Sequence, residues 1–439
     1  MRKTGGELFR LAGRRRRAAT GPRAGQGRSF GSVSATNILL LAAAMLGSIY
    51  VARRLGPVGR GEMAVLVVWG SLVAAFSGMG VPNAVTYAVA RYPRSRSEVY
   101  LLARSRMRRQ VLVSSCVWFG IVVTLLWMGR VRVLSALAFL AWPGLTVLLI
   151  YPVSVLQGLQ RFGYYNLFRV IPAAGPTIVI VFLAVSDRLT VPIVGVLYCG
   201  FTGVAAIWGW NLVGHEWRRG HPMGSHDIPV DRSEFSRVAR HNIFATAATA
   251  FNGRVDQMAL SVRSETGVVG LYSVAASTSA VVVPLASAFS AVALSGLAAE
   301  ADYGARRVMG RNYVLLTGAI ACVAASIISL LLPTLVPRVF GADFVESVGP
   351  ARVLLAGSVF AAVNYTLADV LRGMGTPGSI GIAEGLGACV TAVGVLAVPA
   401  DGLSSVAAIS SLGFGVALLI NLGFFVRTHR RAVGDVKQG

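Results

Sequence analysis

Charge is scarce in this chain. Asp, Glu, Lys and Arg make up 13% of its 439 residues, about half the ordinary share in a soluble domain, and only 18 are acidic against 41 basic. Cysteine is scarcer still. Cys116, Cys199, Cys322 and Cys389 stand alone with no CxxC pair, so a disulfide framework and a cysteine metal centre are both excluded. His215, His221 and His226 share one polar segment and read as a solvated linker; no metal is expected. Lysine is nearly absent, with Lys3 and Lys437 alone, a compositional bias without functional content. No DxD, HExxH, GxSxG or GxxxxGK[ST] pattern occurs. The sequence therefore offers no cofactor site, no nucleotide-driven motor and no acid/base or metal chemistry on a soluble domain.

What the chain has is apolar length. A hydrocarbon core about 30 Å thick takes roughly 20 mostly apolar residues per helix, and the run from Val33 to Ala52 contains no charge. Such stretches recur at 33–52, 63–90, 111–129, 133–157, 168–186, 189–214, 241–262, 267–296, 312–337, 350–371, 376–399 and 402–426. The fold class is an all-α polytopic membrane protein with about 12 transmembrane helices. Of the 41 Lys and Arg, 31 fall before the first stretch, in or at the edge of every second break (Arg169 being the one at an edge), or in the tail. Cytoplasmic segments carry that excess, which predicts a multi-pass protein with both termini and 91–110, 215–240 and 297–311 in the cytoplasm. Attraction to anionic membrane lipids is a second consequence. The basic residues are dispersed among loops with no folded domain to present them, so no nucleic-acid partner is expected.

Residues 1–32, with Arg14 to Arg17 and Gly21-Pro22, read as a disordered basic cytoplasmic arm, and the first stretch as a retained anchor. An internal repeat organises the rest. LGPVGRGEMAV (55–65) follows the first stretch and SETGVVGLYSV (264–274) the seventh, aligning Gly61 with Gly270. QGLQRF (157–162) and RGMGTP (372–377) close the fourth stretch of each half, 97 and 103 residues beyond those glycines. Six stretches per half is an even number, so the halves are expected to be parallel, related by an axis along the membrane normal. The expected lobes are 33–214 and 241–426, joined by a cytoplasmic linker at 215–240 and followed by a tail at 427–439. Helix breakers mark hinges at Gly78, Gly80 and Pro82 in helix 2 and at Pro284 in helix 8, with Pro143-Gly144 a further break in helix 4.

The LGPVGRG turn, GMGVPNAVTYAVAR (78–91), QGLQRFGYYN (157–166), RVDQMAL (254–260) and VVGLYSVAAS (268–277) occur in order along nearly the whole chain. Together they resemble the polysaccharide biosynthesis branch, the repeat-unit (Wzx-like) flippases, of the multidrug/oligosaccharidyl-lipid/polysaccharide (MOP) exporter superfamily. That resemblance implies a V-shaped cavity between two six-helix lobes, with helices 1, 2, 7 and 8 nearest the centre. It also implies a bacterial inner (plasma) membrane location, and flipping of an isoprenoid-pyrophosphate-linked oligosaccharide by alternating access, beside a polysaccharide polymerase and glycosyltransferases. The two extra C-terminal helices of lipid II flippases are missing. Rival readings are a drug/cation antiporter of the MATE type and a non-transporting scaffold of a polysaccharide assembly complex.

Charges at membrane depth are costly and mark function by default. Thirteen residues beyond His241, Arg254 would lie about 20 Å into the bilayer, where a guanidinium can grip a pyrophosphate bidentately. Asp256, about 200° further round an ideal helix, is expected to pair with another helix or bind a coupling cation. Glu384 and Asp369, nearer the cytoplasmic face, are candidates for proton or cation coupling. Arg53, Arg54 and Arg60 flank the external turn after helix 1, where they would meet an emerging phosphate.

Overall fold

The computed structural model describes residues 23–78, 80–92, 96–220, 232–284, 303–373, 378–399 and 402–438. All regular elements among them are helical. In chain order they are α1 (Arg23–Gly78), α2 (Val81–Arg91), α3 (Arg96–Trp127), α4 (Val133–Phe139), α5 (Trp142–Gly158), α6 (Phe162–Val185) and α7 (Val191–Gly220). The second half holds α8 (Arg232–Asn252), α9 (Val255–Arg263), α10 (Thr266–Ser279), α11 (Tyr303–Val339), a 3₁₀ turn (Ala342–Ser347), α12 (Val348–Gly373), α13 (Gly378–Ala397) and α14 (Leu403–Gln438).

Ten described stretches are long and apolar enough to cross a membrane, and one of them, Ala35–Gly78, runs for 44 residues. That stretch is two helices. Gly56 sits at φ 66°, ψ −174°, a conformation open essentially to glycine alone. Ser48 bonds to Ser277 while Arg60 bonds to Ser273. Residues twelve apart thus meet partners one turn apart, so the chain doubles back at Gly56. Counting this hairpin as two, and the broken pair α8 and α9 as one, accounts for the twelve stretches read from sequence.

Breaks fall where the backbone chemistry demands them. Pro82 cannot donate to the carbonyl four residues earlier. That carbonyl, on Gly78, accepts Gln110 Nε2 at 3.1 Å, and Gln110 accepts the Tyr151 hydroxyl. Gly80 holds φ 66° and α2 restarts at Val81. Pro284 likewise crowds Ala280, where α10 gives way to a turn. In the seventh stretch the break lies at Gly253–Arg254, and the orphaned Gln257 N–H is taken by Asp256 Oδ1 at 2.7 Å.

The arm expected over 1–32 lies outside the described residues as far as position 22, but from Arg23 the chain is helical. The spanning helix supplies the nucleus, and propagation onto a proline-free segment adds one bond per residue. The linker expected at 215–240 is also partly helical, because α7 persists to Gly220 and α8 begins at Arg232; 221–231 lies outside the described residues.

The repeat-matched glycines touch one another. A Cβ on Gly61 would lie 1.7 Å from the Thr266 carbonyl oxygen, and one on Gly270 would lie 1.9 Å from that of Pro57. Each meets the carbonyl four residues before the other, the reciprocity of a two-fold contact. Arg54 and Arg263 are separated by the same 209 residues as the glycines. Arg54 donates to the Asp187 carbonyl at 2.9 Å and Arg263 to the Val395 and Val398 carbonyls.

Candidate functional site

A cavity of about 550 Å³ lies between the halves, with Arg60, Tyr198, Arg254, Asp256, Tyr365 and Ser410 among its walls. It is built on the breaks. Gly253–Arg254 interrupts the seventh stretch at the wall, and Ala280 and Pro284 line it from the eighth. Backbone groups released from helical pairing are tolerable at such depth only beside protein or a water-filled space.

Arg254 is the N-cap of α9, at φ −144°, ψ −4°. Its guanidinium, with five N–H donors, has no hydrogen-bond partner among the described residues, nor any carboxylate within ion-pair distance. The nearest charge on its own segment is Asp256. The 200° separation expected for an unbroken helix does not hold, because Arg254 stands at the break, outside helical φ/ψ, and both face the cavity. Asp256 itself is fully committed. Besides the Gln257 N–H it accepts the Tyr272 hydroxyl at 2.6 Å and a bond from Ser410, tying α9 to α10 and α14.

Arg60 was expected at the external turn and instead reaches into the cavity. It lies four residues beyond the Gly56 reversal, one turn inside the returning helix, on the stripe that carries Met63, Ala64, Val67 and Val68 to the wall. Its Nε donates to Ser273 Oγ at 3.1 Å. The glycine of the turn was the signal that could have placed it. Arg53 and Arg54 remain at the turn end, exposed; Arg54 pairs with Asp187 at 2.7 Å, with side chains 39% and 75% exposed, a geometry worth about 0–1 kcal/mol.

Glu384 and Asp369 do not line the cavity. Asp369 is half-buried on α12. Glu384 is fully buried on α13 and accepts Asn252 Nδ2 at 2.7 Å and Asn364 Nδ2 at 2.8 Å, while Asn421 Nδ2 donates to Asn364 Oδ1 at 2.8 Å. The amide oxygens of Asn252 and Asn421 are buried without a partner among the described residues. Sequence reading missed this asparagine cluster, since its members are far apart in the chain and carry no charge. Gly78, Gly80 and Pro82 form the break of the second stretch, outside the cavity wall; Pro284 is in the wall.

The model of the polysaccharide biosynthesis protein family matches residues 27–294, well over half of the chain. The chain belongs to that family. Among solved structures this chain is similar to an inward-facing multidrug resistance MATE family transporter of the MOP superfamily, with TM-score 0.68 and 14% identity over 92% of this chain and 99% of the other. The lipid II flippase MurJ, inward closed, gives TM-score 0.66 and 14% identity over 90% of this chain and 87% of that one. A MOP superfamily transporter from Pyrococcus furiosus, described by a binding pocket of reverse polarity, gives 0.61 and 13% over 92% and 95%. These establish a helical, multi-pass MOP-type fold. No curated protein matches.

Proposed function

We propose that this family member is a flippase that carries an isoprenoid-pyrophosphate-linked oligosaccharide, chemically unchanged, across a bacterial inner membrane. The observation that carries the reading is the Arg254 guanidinium, unpartnered among the described residues in a cavity between the halves. Arg60 supplies a second cation to the same space. The basic wall attracts the pyrophosphate, the hydroxyls of Ser48 and Ser358 meet the sugars, and the isoprenoid tail stays in lipid. The halves, 33–214 and 241–426, act as lobes that rock about the Gly61–Gly270 crossing. The arginine-rich end faces the cytoplasm with both termini, and the Gly56 end faces outward. The enzymes that build the lipid-linked unit on the inside and polymerise it on the outside are the partners this reading requires.

A cationic-drug antiporter would need a free cavity carboxylate. Asp256 already accepts three donors, so that reading loses its anchor. Coupling to an ion gradient falls instead to Glu384, a fully buried carboxylate held by two asparagine amides, whose charge a proton or cation would neutralise.

Complementation of a flippase-deficient strain tests both residues at matched protein levels. Arg254→Ala is expected to abolish growth of polysaccharide, with Arg254→Lys partly active because charge survives without the bidentate fork. One lost charge-assisted bond, about 1.5–3 kcal/mol, weakens headgroup binding roughly tenfold to a hundredfold. Full complementation by Arg254→Ala removes the assignment. Glu384→Gln should retain headgroup binding and lose gradient-dependent transport; unchanged gradient dependence discards the coupling role.

A further inference from the structure

The Arg60–Ser273 contact joins the two halves, and its surroundings give it a trigger's chemistry. Arg60 immediately precedes Gly61, and Ser273 lies one turn beyond Gly270, so the bond sits on the cavity side of the glycine crossing. Ser273 Oγ accepts Arg60 Nε at 3.1 Å and donates its own proton to the Gly270 carbonyl at 2.8 Å. Losing Arg60 would therefore leave the serine proton bonded and no buried donor stranded. The two terminal nitrogens of Arg60 have no hydrogen-bond partner among the described residues, although the side chain is in the cavity wall. The other cavity-lining bond between the halves, Ser48 to Ser277, is neutral and long at 3.4 Å. Bonds from a guanidinium to a phosphate are roughly twice as strong as those between neutral groups, so an anion entering the cavity outcompetes a serine hydroxyl for Arg60.

We propose that Arg60 is a positioning residue that senses the substrate's phosphate: the anion draws its guanidinium off Ser273 and so releases the Gly61–Gly270 closure. This rests on the anion-binding reading of the cavity. It explains why a cation is placed on a helix crossing where the backbones are already in contact. An empty protein stays closed there, because Arg60 has no better partner than Ser273. A loaded one loses that tie as the headgroup arrives. Differential affinity for two arrangements is what lets a ligand shift an equilibrium between them.

The crossing can be followed chemically, because Val58 Cγ2 lies 3.8 Å from the position a Cβ would take on Gly267 across the interface. A Val58→Cys, Gly267→Cys pair in a background with the four native cysteines changed to serine reports closure by its rate of oxidative cross-linking, in purified protein in lipid nanodiscs. Inorganic pyrophosphate is the probe. In this parent, pyrophosphate should slow cross-linking several-fold. Adding Ser273→Ala should slow it to the same extent without pyrophosphate, remove the further effect of the probe, and leave pyrophosphate binding by calorimetry no weaker than in the parent, whereas loss of one charged contact would weaken it roughly tenfold or more. Ser277→Ala should keep the parent's response, which separates a general loosening of the interface from release of this bond. If pyrophosphate binds the parent and leaves cross-linking unchanged, or if Ser273→Ala keeps the parent's rate and response, the trigger is overturned while the cavity reading stands. If pyrophosphate does not bind the parent, the cavity reading falls and takes the trigger with it.

Discussion

Two glycines and two arginines hold most of the meaning in this molecule. Gly61 and Gly270 are required by distance: any side chain on either would overlap a backbone oxygen of the opposite half. Gly61→Ala must push α1 and α10 apart, at a cost typical of overpacking, about 1–3 kcal/mol. Because both positions serve one crossing, adding Gly270→Ala should cost less than it does alone, since contacting sites are not additive. Thermal unfolding of the two single variants and the double variant in detergent checks this; additive losses would mean the crossing is not a single unit. Arg54 and Arg254 show how burial ranks equal charges. Arg54 is exposed and paired with Asp187, whereas Arg254 is half-buried in the cavity wall and has no hydrogen-bond partner among the described residues, so only the second points to a ligand.

At the scale of elements, the short helix α2 and the half-helix α8 meet outside the cavity wall. α2 is held to its own half by Thr86, which donates to the Ser154 carbonyl at 3.0 Å. It meets α8 through Glu234, whose carboxylate accepts the hydroxyls of Tyr87, at 2.9 Å, and Tyr92, and Phe76 meets Phe251 edge-on with ring centroids 6.5 Å apart. The Tyr92 and Tyr87 bonds, with Arg91 and Arg237 nearby, hold the Glu234 carboxyl below the usual glutamate range. A folded-state pKa below the unfolded one gives stabilisation that is present above the ordinary glutamate range, about 4.3, and is lost as pH falls through the lowered value. Hydrogen exchange of α2 amides, corrected for intrinsic rate, should therefore quicken only at pH below the ordinary glutamate range. In Glu234→Ala it should be faster at neutral pH and show no such step. Equal exchange in the two proteins at neutral pH would show that the glutamate does not fasten α2.

For the whole molecule, the partition of 31 basic residues against 10 predicts that cysteine labelling from each side of the membrane finds 215–240 and 338–352 on opposite faces. Labelling of both from one side would contradict the twelve-stretch topology. The same topology leaves the arginine-rich ends of α3 and α8 on the cytoplasmic face, beside anionic headgroups.

Apolar run length, the alternation of arginine and the spacing of glycine and proline were readable without coordinates, because each acts locally: a run crosses or does not, and a proline removes its own N–H wherever it stands. Gly78, Gly80, Pro82 and Pro284 are all at breaks for that reason. The correspondence of Gly61 with Gly270 could be read from the chain, but nothing in it said that those two glycines touch. Where a side chain ends up depends on which way a reversal turns and which helix lies opposite. Arg60 belongs to the cavity because Gly56 folds the chain back, and Asp256 shares a wall with Arg254 because the helix breaks at Gly253–Arg254. Glu384 finds Asn252 and Asn364 from two other helices, with Asn421 of a third behind Asn364, a meeting set by packing of distant segments and by the cost of leaving a carboxylate unsatisfied out of water.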